Sequence, residues 1–385
     1  TRQTVNLLPY GFGGSNPSPS TTFTNEASRA LRGRLFAFPA MVRPGFSKAA
    51  NGKAIDQTVE SRSIGGGKML LAVIGALFAF FAVFAVVPFV ARLALRHGYV
   101  DRPGPRKVHA APVPLLGGAA IYAATAAAML LFGGRTALSV SVAVGGLLIV
   151  FIGLLDDAAK ARGYEFPIWP RVIVYLTAAF VPVLLDIRIL GLSAPGPEGM
   201  IMLPGWASVA ATVAWIFALT NMINFIDGVD GLAAGVSMIS SLTLFLTAVI
   251  RHQADTAMLA LILFGACAAF LAYNFHPARI FMGDAGAAFI GYCLSLIAVE
   301  GSFKKATLIT ILIPMLALGV PIMDTIIVMA RRLADGRGLH KADNLHTHHA
   351  LMRWGLTQIQ TVSFLYLLSI VFALLSIVLL LAWGA

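Results

Sequence analysis

From Met69 onward, apolar residues come in long blocks separated by short polar segments. Ten blocks stand out, at 69–95, 116–133, 136–155, 172–186, 205–222, 232–250, 256–275, 284–299, 306–330 and 360–383. Each is long enough, or nearly so, to cross about 30 Å of hydrocarbon as a helix. The fourth and eighth are the short ones. The pattern predicts an all-α, polytopic integral membrane protein with about ten transmembrane helices. A signal peptide does not account for the first block, because no small-residue cleavage site precedes the basic segment Arg92–Lys107.

Composition agrees with the pattern. Of 385 residues, 58% are hydrophobic and 12% charged, and the mean hydropathy is +0.83; a soluble domain carries about 25% charged residues. The net charge of +11 would point to nucleic acid in a soluble chain. Here it is expected to mark cytoplasmic loops and to attract anionic lipids or phosphorylated substrates, so no nucleic-acid partner is expected. Cys267 and Cys293 both lie inside apolar blocks, which predicts packing roles and no disulfide framework.

Residues 1–68 differ from the rest, being rich in Ser, Thr, Asn, Gly and Pro, with nine bases and three acids. They are expected to be a disordered tail or a non-native extension, with 69–385 as the membrane domain. A chain starting at Met69 is accordingly expected to insert and work as well as the full one, with retention of activity after truncation as the check. Ten spans place the loops at 92–115, 156–171, 222–231, 275–284 and 331–359 on one side. Those loops hold fourteen Lys and Arg, the opposite loops five. The bias makes the first side cytoplasmic.

The few acids are not scattered. Asp156, Asp157, Asp227, Asp230 and Asp284 all fall on the side assigned to the cytoplasm, as does the His346–His349 cluster. An ion path through the membrane would place carboxylates in mid-span, so a shallow surface site is expected. Asp156-Asp157 ends a block, and two adjacent carboxylates at an interface call for a cation or proton donor nearby, the other reading being a charged helix end in solvent. In Asn221-Met-Ile-Asn224-Phe-Ile-Asp227-Gly-Val-Asp230-Gly the polar residues recur at every third position and would share one helical face. That ladder suits sugar, base or metal-water contacts; a polar interhelical seam is its structural counterpart. Asp284, between glycines in Phe281-Met-Gly-Asp284-Ala-Gly, could reach the same cation or serve as an N-cap. Oxygen ligands without cysteine suit a hard ion, Mg²⁺ before Zn²⁺. The imidazoles of His346-Thr-His348-His349, beside Arg331, Arg332 and Lys341, could bind a diphosphate or move protons, with a zinc site or a solvated basic loop as rivals. Asp324 lies inside the ninth block, and the sequence assigns it neither packing nor catalysis.

Taken together, Asp101-Arg-Pro-Gly-Pro-Arg106-Lys107-Val-His109 with Pro114-Leu-Leu-Gly117-Gly118, Asp156-Asp157, Asn221–Gly231, Phe281–Gly286 and His346-Thr-His348-His349-Ala-Leu resemble the polyprenyl-phosphate N-acetylhexosamine-1-phosphate transferases of glycosyltransferase family 4. The resemblance runs from about Met69 to the end of the chain. It implies ten or eleven helices in a bacterial inner membrane, with the active site on the cytoplasmic face and a homodimer left open. It also implies transfer of N-acetylhexosamine-1-phosphate, with GlcNAc the expected sugar, from a UDP-sugar to undecaprenyl phosphate, releasing UMP and starting an envelope polysaccharide such as O-antigen. The resemblance makes Asp156, Asp157, Asp227 and Asp284 catalytic. It gives Asp157 and Asp284 as ligands of Mg²⁺, with Mn²⁺ as a substitute. Asn224, Asp230, Asn274 and Phe281 are implied in the nucleotide-sugar pocket, Phe281 stacking on uracil. His346, His348 and His349 are implied at the diphosphate or sugar, and Lys107 and Arg171 at phosphate. No third acid follows Asp156-Asp157, where the chain reads Ala-Ala-Lys-Ala-Arg. The His-Thr-His-His form is closer to the branch that starts O-antigen or teichoic acid linkage units than to the branch that uses a muramyl-pentapeptide. A 6-deoxy donor such as UDP-FucNAc or UDP-QuiNAc, UDP-MurNAc-pentapeptide, and, in another class, a transporter are the alternatives.

Overall fold

The computed structural model describes residues 48–102, 112–193, 200–302, 306–334 and 346–383. Lys107 lies outside them, as does the tail before residue 48. Residues from Glu60 to Ala385 form one compact unit, to which the following applies; of the unit Thr1–Val59, the described part, from Lys48, is helical.

The elements run in the order α1 (Lys48–His97), β1 (Val100–Asp101), β2 (Val113–Pro114), α2 (Gly117–Phe132), α3 (Ala137–Ala161), α4 (Ile168–Leu184), β3 (Gly191–Ser193), β4 (Met200–Met202), α5 (Gly205–Ile226), α6 (Leu232–Ile250), α7 (Ala254–Asn274), α8 (Gly283–Ser302), β5 (Ala306–Thr307), α9 (Leu308–Ala317), α10 (Gly319–Ala334), α11 (Thr347–Arg353) and α12 (Gln358–Trp383). The all-α expectation holds for the spans because hydrocarbon cannot satisfy a backbone N–H or C=O, and a helix pairs all of them internally. Among the described residues short strands lie between spans: β1 pairs antiparallel with β2, and β3 lies between antiparallel β4 and parallel β5.

Among the described residues seven helices are long and apolar enough to cross a membrane, and the bent pair α9–α10, taken as one span, brings the number to eight. The remaining two apolar helices, α2 with 16 residues and α4 with 17, occupy the second and fourth blocks of the sequence. The eighth block, short in sequence, is a full 20-residue helix. The 83° bend between Ile311–Ala317 and Gly319–Ala334 has an identifiable cause. Pro321 has no N–H to give to the carbonyl of Ala317, four residues back. The Ser240 hydroxyl on α6 donates to that carbonyl instead, at 2.6 Å.

α8 forms the centre of the bundle, with nearly every side chain from Ala285 to Val299 buried. Its neighbours approach through missing side chains. A Cβ on Gly118 of α2 would overlap the backbone of Gly286, and one on Gly153 of α3 would overlap Ala285. Further along, the Tyr292 ring fills the space left by Gly145, and its hydroxyl donates to the Ser141 carbonyl at 3.1 Å. Small residues at crossings are the usual means of helix association in lipid, where no hydrophobic gain separates protein from solvent. These contacts fix the start of α8 against the end of α3, and the acidic residues lie at that junction.

Candidate active site

Asp156 and Asp157 occupy the last turns of α3, and both are 1% exposed. The Asp157 carboxylate accepts from the backbone N–H of Asp284 at 2.9 Å and of Ala285 at 3.3 Å. It therefore caps the start of α8 from a different helix, and its charge meets the positive end of that helix. The sequence offered Asp284 as its own helix's cap; in the fold Asp157 performs that role. This frees the Asp284 side chain, which meets Lys160 Nζ at 2.7 Å and Arg171 Nη1 at 3.0 Å. Arg171, from the first turn of α4, also donates to Asp156 at 2.6 Å, and Lys160 lies 3.6 Å from the same carboxylate. Two buried or partly buried carboxylates thus share two cations, which offsets a desolvation cost that neither could bear alone.

The turn between α5 and α6 supplies the facing wall. The polar ladder expected from Asn221 to Asp230 breaks at Ile226, where α5 ends and Asp227 becomes the C-cap. Asn221 donates to the Phe217 carbonyl of its own helix at 2.7 Å, so the amides and the carboxylates do not share one helical face. Gly231, at φ +79, then makes the left-handed turn that leads into α6. Asp230 is held 2.8 Å from His276 Nδ1 and accepts from the Ala278 N–H at 3.1 Å. Asn274 spends its amide on the scaffold, accepting from Gly231 N and donating to the Ile280 carbonyl. Phe281 is pinned through its backbone, which donates to Pro114 and accepts from Gly117.

These walls enclose a cavity of about 260 Å³ at one end of the bundle. Of the residues singled out in the sequence, Asp157, Asp227, Asp230, Asn274, Phe281, Asp284 and His349 line it. Asp156 and Arg171 stand behind the Asp284 carboxylate. Asn224, His346 and His348 are not on the wall. His348 is 1% exposed and packs beneath Gly228, with neither ring nitrogen partnered among the described residues. Burial and the neighbouring imidazoles push its pKa down to about 3, so it is neutral at physiological pH and brings no charge to a diphosphate. His349 is shifted the same way, by burial and then by His346 and Arg353. The cavity also includes Asp101, which begins one of the motifs that carry the resemblance but has no role assigned from sequence, and Lys160 and Gln358, to which the sequence assigns none either. For Lys160 a signal existed: it lies four residues after Asp156, so one helical face carries both.

Asp227, like Asp157, has no Lys, Arg or His at ion-pair distance among the described residues, and unlike Asp157 it caps no helix start. Burial, then the Asp284 charge, push its pKa up to about 7. A folded-state value above the ordinary aspartate value of about 3.9 means that between the two values the folded chain holds a proton the unfolded chain has lost. The group's contribution to stability is therefore complete below about pH 4 and is lost as pH rises through about 7. Asp227→Asn is expected to raise the melting temperature of the ion-free protein above pH 7 and to leave it unchanged near pH 4, as thermal unfolding in detergent would show.

Among the described residues no three Asp, Glu, His or Cys side chains close on one point as a finished metal cage. The donor chemistry nonetheless fits a hard divalent cation. Asp157, Asp227 and Asp284 face one cavity, each Asp157 oxygen keeps a free lone pair, and Asp227 lacks a counter-charge.

The model of glycosyl transferase family 4 matches residues 139–302, the stretch that holds Asp156, Asp157, Asp227, Asp230 and Asp284. The chain is similar to the probable undecaprenyl-phosphate N-acetylglucosaminyl 1-phosphate transferase of Bacillus subtilis, at 36% identity over 81% of this chain and 86% of the relative. It is 33% identical to the decaprenyl-phosphate N-acetylglucosaminephosphotransferase of Mycolicibacterium smegmatis, over 77% of this chain and 79% of that one. The undecaprenyl-phosphate alpha-N-acetylglucosaminyl 1-phosphate transferase of Yersinia pestis is 30% identical over 75% and 80%.

Proposed function

The chain belongs to glycosyl transferase family 4, and on that premise we propose that it transfers GlcNAc-1-phosphate from UDP-GlcNAc to undecaprenyl phosphate at the cytoplasmic face of a bacterial inner membrane. A lipid phosphate oxygen attacks the β-phosphorus of the donor. A new P–O–P link forms, the bond to UMP breaks, and UMP leaves with the electron pair. The product is a lipid-linked sugar diphosphate, the starting unit of an envelope polysaccharide such as O-antigen. The relatives' names specify N-acetylglucosamine, which favours that sugar over the 6-deoxy and muramyl alternatives.

The observation that carries this reading is one cavity lined by five carboxylates, Asp157, Asp227 and Asp284 among them, together with Lys160. Both reactants are anions, so their approach needs fixed positive charge. Lys160 Nζ, already on the wall, offers it to the diphosphate. Arg171, held by Asp156 and Asp284, keeps a second charge close by. A phosphate monoester loses its second proton near pH 6, so little deprotonation remains to be done at neutral pH. That favours Asp156 as the group that positions Arg171 and the lipid phosphate over Asp156 as a strong base. Mg²⁺, or Mn²⁺ in its place, would be held by Asp157 and Asp284 with Asp227 beside them, and would stabilise charge on the transferring phosphoryl group. Asp230, Asn274 and Phe281 form the wall suited to a nucleoside, with Phe281 offering a ring face to uracil.

The test is UMP release by the purified protein with undecaprenyl phosphate and a panel of UDP-N-acetylhexosamines, with the lipid product weighed by mass spectrometry. UDP-GlcNAc is expected to give UMP in step with lipid-linked GlcNAc-phosphate, and chelation of divalent cations to return the rate to background. No UMP with any donor, together with solute uptake into vesicles, would replace the transferase with a transporter.

A further inference from the structure

Asp324 is a carboxylate inside a membrane span, 2% exposed, one turn beyond the bend between α9 and α10. Such a residue is costly to bury and is kept where it has a partner. Its partners are both in the histidine motif. Oδ2 lies 2.7 Å from His346 Nδ1, and Oδ1 accepts from the Thr347 backbone N–H at 2.6 Å. A carboxylate accepts and does not donate, so at 2.7 Å the proton between them belongs to His346 Nδ1. That leaves Nε2 without a hydrogen-bond partner among the described residues. From His346 the rings continue in contact: His346 stacks on His348 at 5.7 Å between centroids and 8° between planes, and His348 lies 4.3 Å from His349. His349 lines the reaction cavity. His346 also lines a separate cavity of about 120 Å³ with Phe225, Met329 and Arg332.

We propose that Asp324 is a positioning residue for the reaction: from within the membrane it fixes the tautomer and ring plane of His346 and the start of α11, and thereby sets the three-imidazole run that ends at the cavity. The proposal rests on the transferase reading for its kinetic test and on geometry alone for its spectroscopic one. Among the described residues the charged and titratable groups around His346 are Asp324 from α10, Arg332 on the shared cavity, and His348 and His349 on α11. Asn in place of Asp324 keeps the shape. Its carbonyl oxygen can still serve Thr347, but its NH₂ then faces His346 and asks for an unprotonated Nδ1. The imidazole would move its proton to Nε2, the wrong-tautomer effect known for a carboxylate-to-amide change beside a functional histidine.

Three variants test this: Asp324→Asn, His346→Ala and the double variant. Asp324→Asn is expected to lower kcat/KM for UMP release about 10- to 100-fold, and the double variant to be no slower than His346→Ala, because the two residues act as one unit. A wild-type rate for Asp324→Asn, or a double variant that multiplies the two losses, overturns the proposal. Nitrogen-15 NMR of histidine-labelled full-length protein provides the second measurement, with His346→Ala assigning the signal. At about pH 8.5, where an ordinary imidazole is neutral, the proton is expected on Nδ1 in the unmodified chain. A proton on Nε2 there overturns the proposal whatever rates the variants show. If the unmodified protein releases no UMP, the transferase reading fails and the tautomer decides this inference by itself.

Discussion

Asp284→Asn is expected to bring UMP release to the assay background, a loss of about a thousandfold or more, the scale on which removal of a group that meets transition-state charge is felt. The side chain faces the cavity and carries the negative charge shared by Lys160 and Arg171. An amide in its place has one acceptor oxygen and no charge, so Lys160 loses its closer partner, Arg171 loses one of its two, and a divalent ion loses its anionic ligand. The fold is expected to survive. The start of α8 is capped by Asp157 through backbone N–H groups, which the substitution does not touch. UMP release measured beside thermal unfolding separates the two effects. Turnover near the wild-type level would remove Asp284 from the site, and with it the placement of a cation there.

Gly283→Ala is expected to have a comparable effect by a different route. Gly283 sits at φ +71, where an L side chain is strained, and a Cβ there would run into the Asp157 carboxyl group, 2.7 Å from Cγ. The strain alone costs about 1 kcal/mol. The clash adds displacement of the group that caps α8 and faces the reaction cavity. A loss of activity of at least about a hundredfold follows, the scale of a roughly 1 Å misplacement in a site. Gly355→Ala is the matched control. It has φ +96 and nothing within 4 Å of the added Cβ, so it bears the strain without the clash and is expected to keep most of its activity. Equal losses in the two variants would mean that backbone strain, and not the Asp157 contact, dominates.

The carboxylates at the site were legible in the chain because lipid makes charge expensive: in a sequence that is 12% charged, acids gathered at block ends stand out. The same economy hid their division of labour. Asp156 and Asp157 look alike in sequence, but helical neighbours point about 100° apart. One consequently meets Arg171 and the other the start of α8. Periodicity alone puts the ladder from Asn221 to Asp230 on one face because it assumes that the helix continues, and the helix stops at Ile226. His348 carries a motif position yet lies buried beneath Gly228, which spacing cannot reveal. Lys160 was passed over because a base near a helix end usually signals orientation; only its 2.7 Å contact with Asp284, a residue more than a hundred positions away, gives it a chemical place.

The sequence by itself determined the solvent, the helical class and the end of the bundle at which polar chemistry would collect. Each follows from the cost of placing backbone and charge in hydrocarbon, a local property summed along the chain. Only the tertiary structure decided which carboxylate caps, which pairs with a cation and which stands without one. It also decided that Asp324, assigned neither packing nor catalysis in the sequence, reaches the histidine motif. Those outcomes depend on distances between segments far apart in the chain, set by glycine-mediated crossings at Gly118, Gly153 and Gly286 and by a bend at Pro321. A one-dimensional pattern contains no such distances.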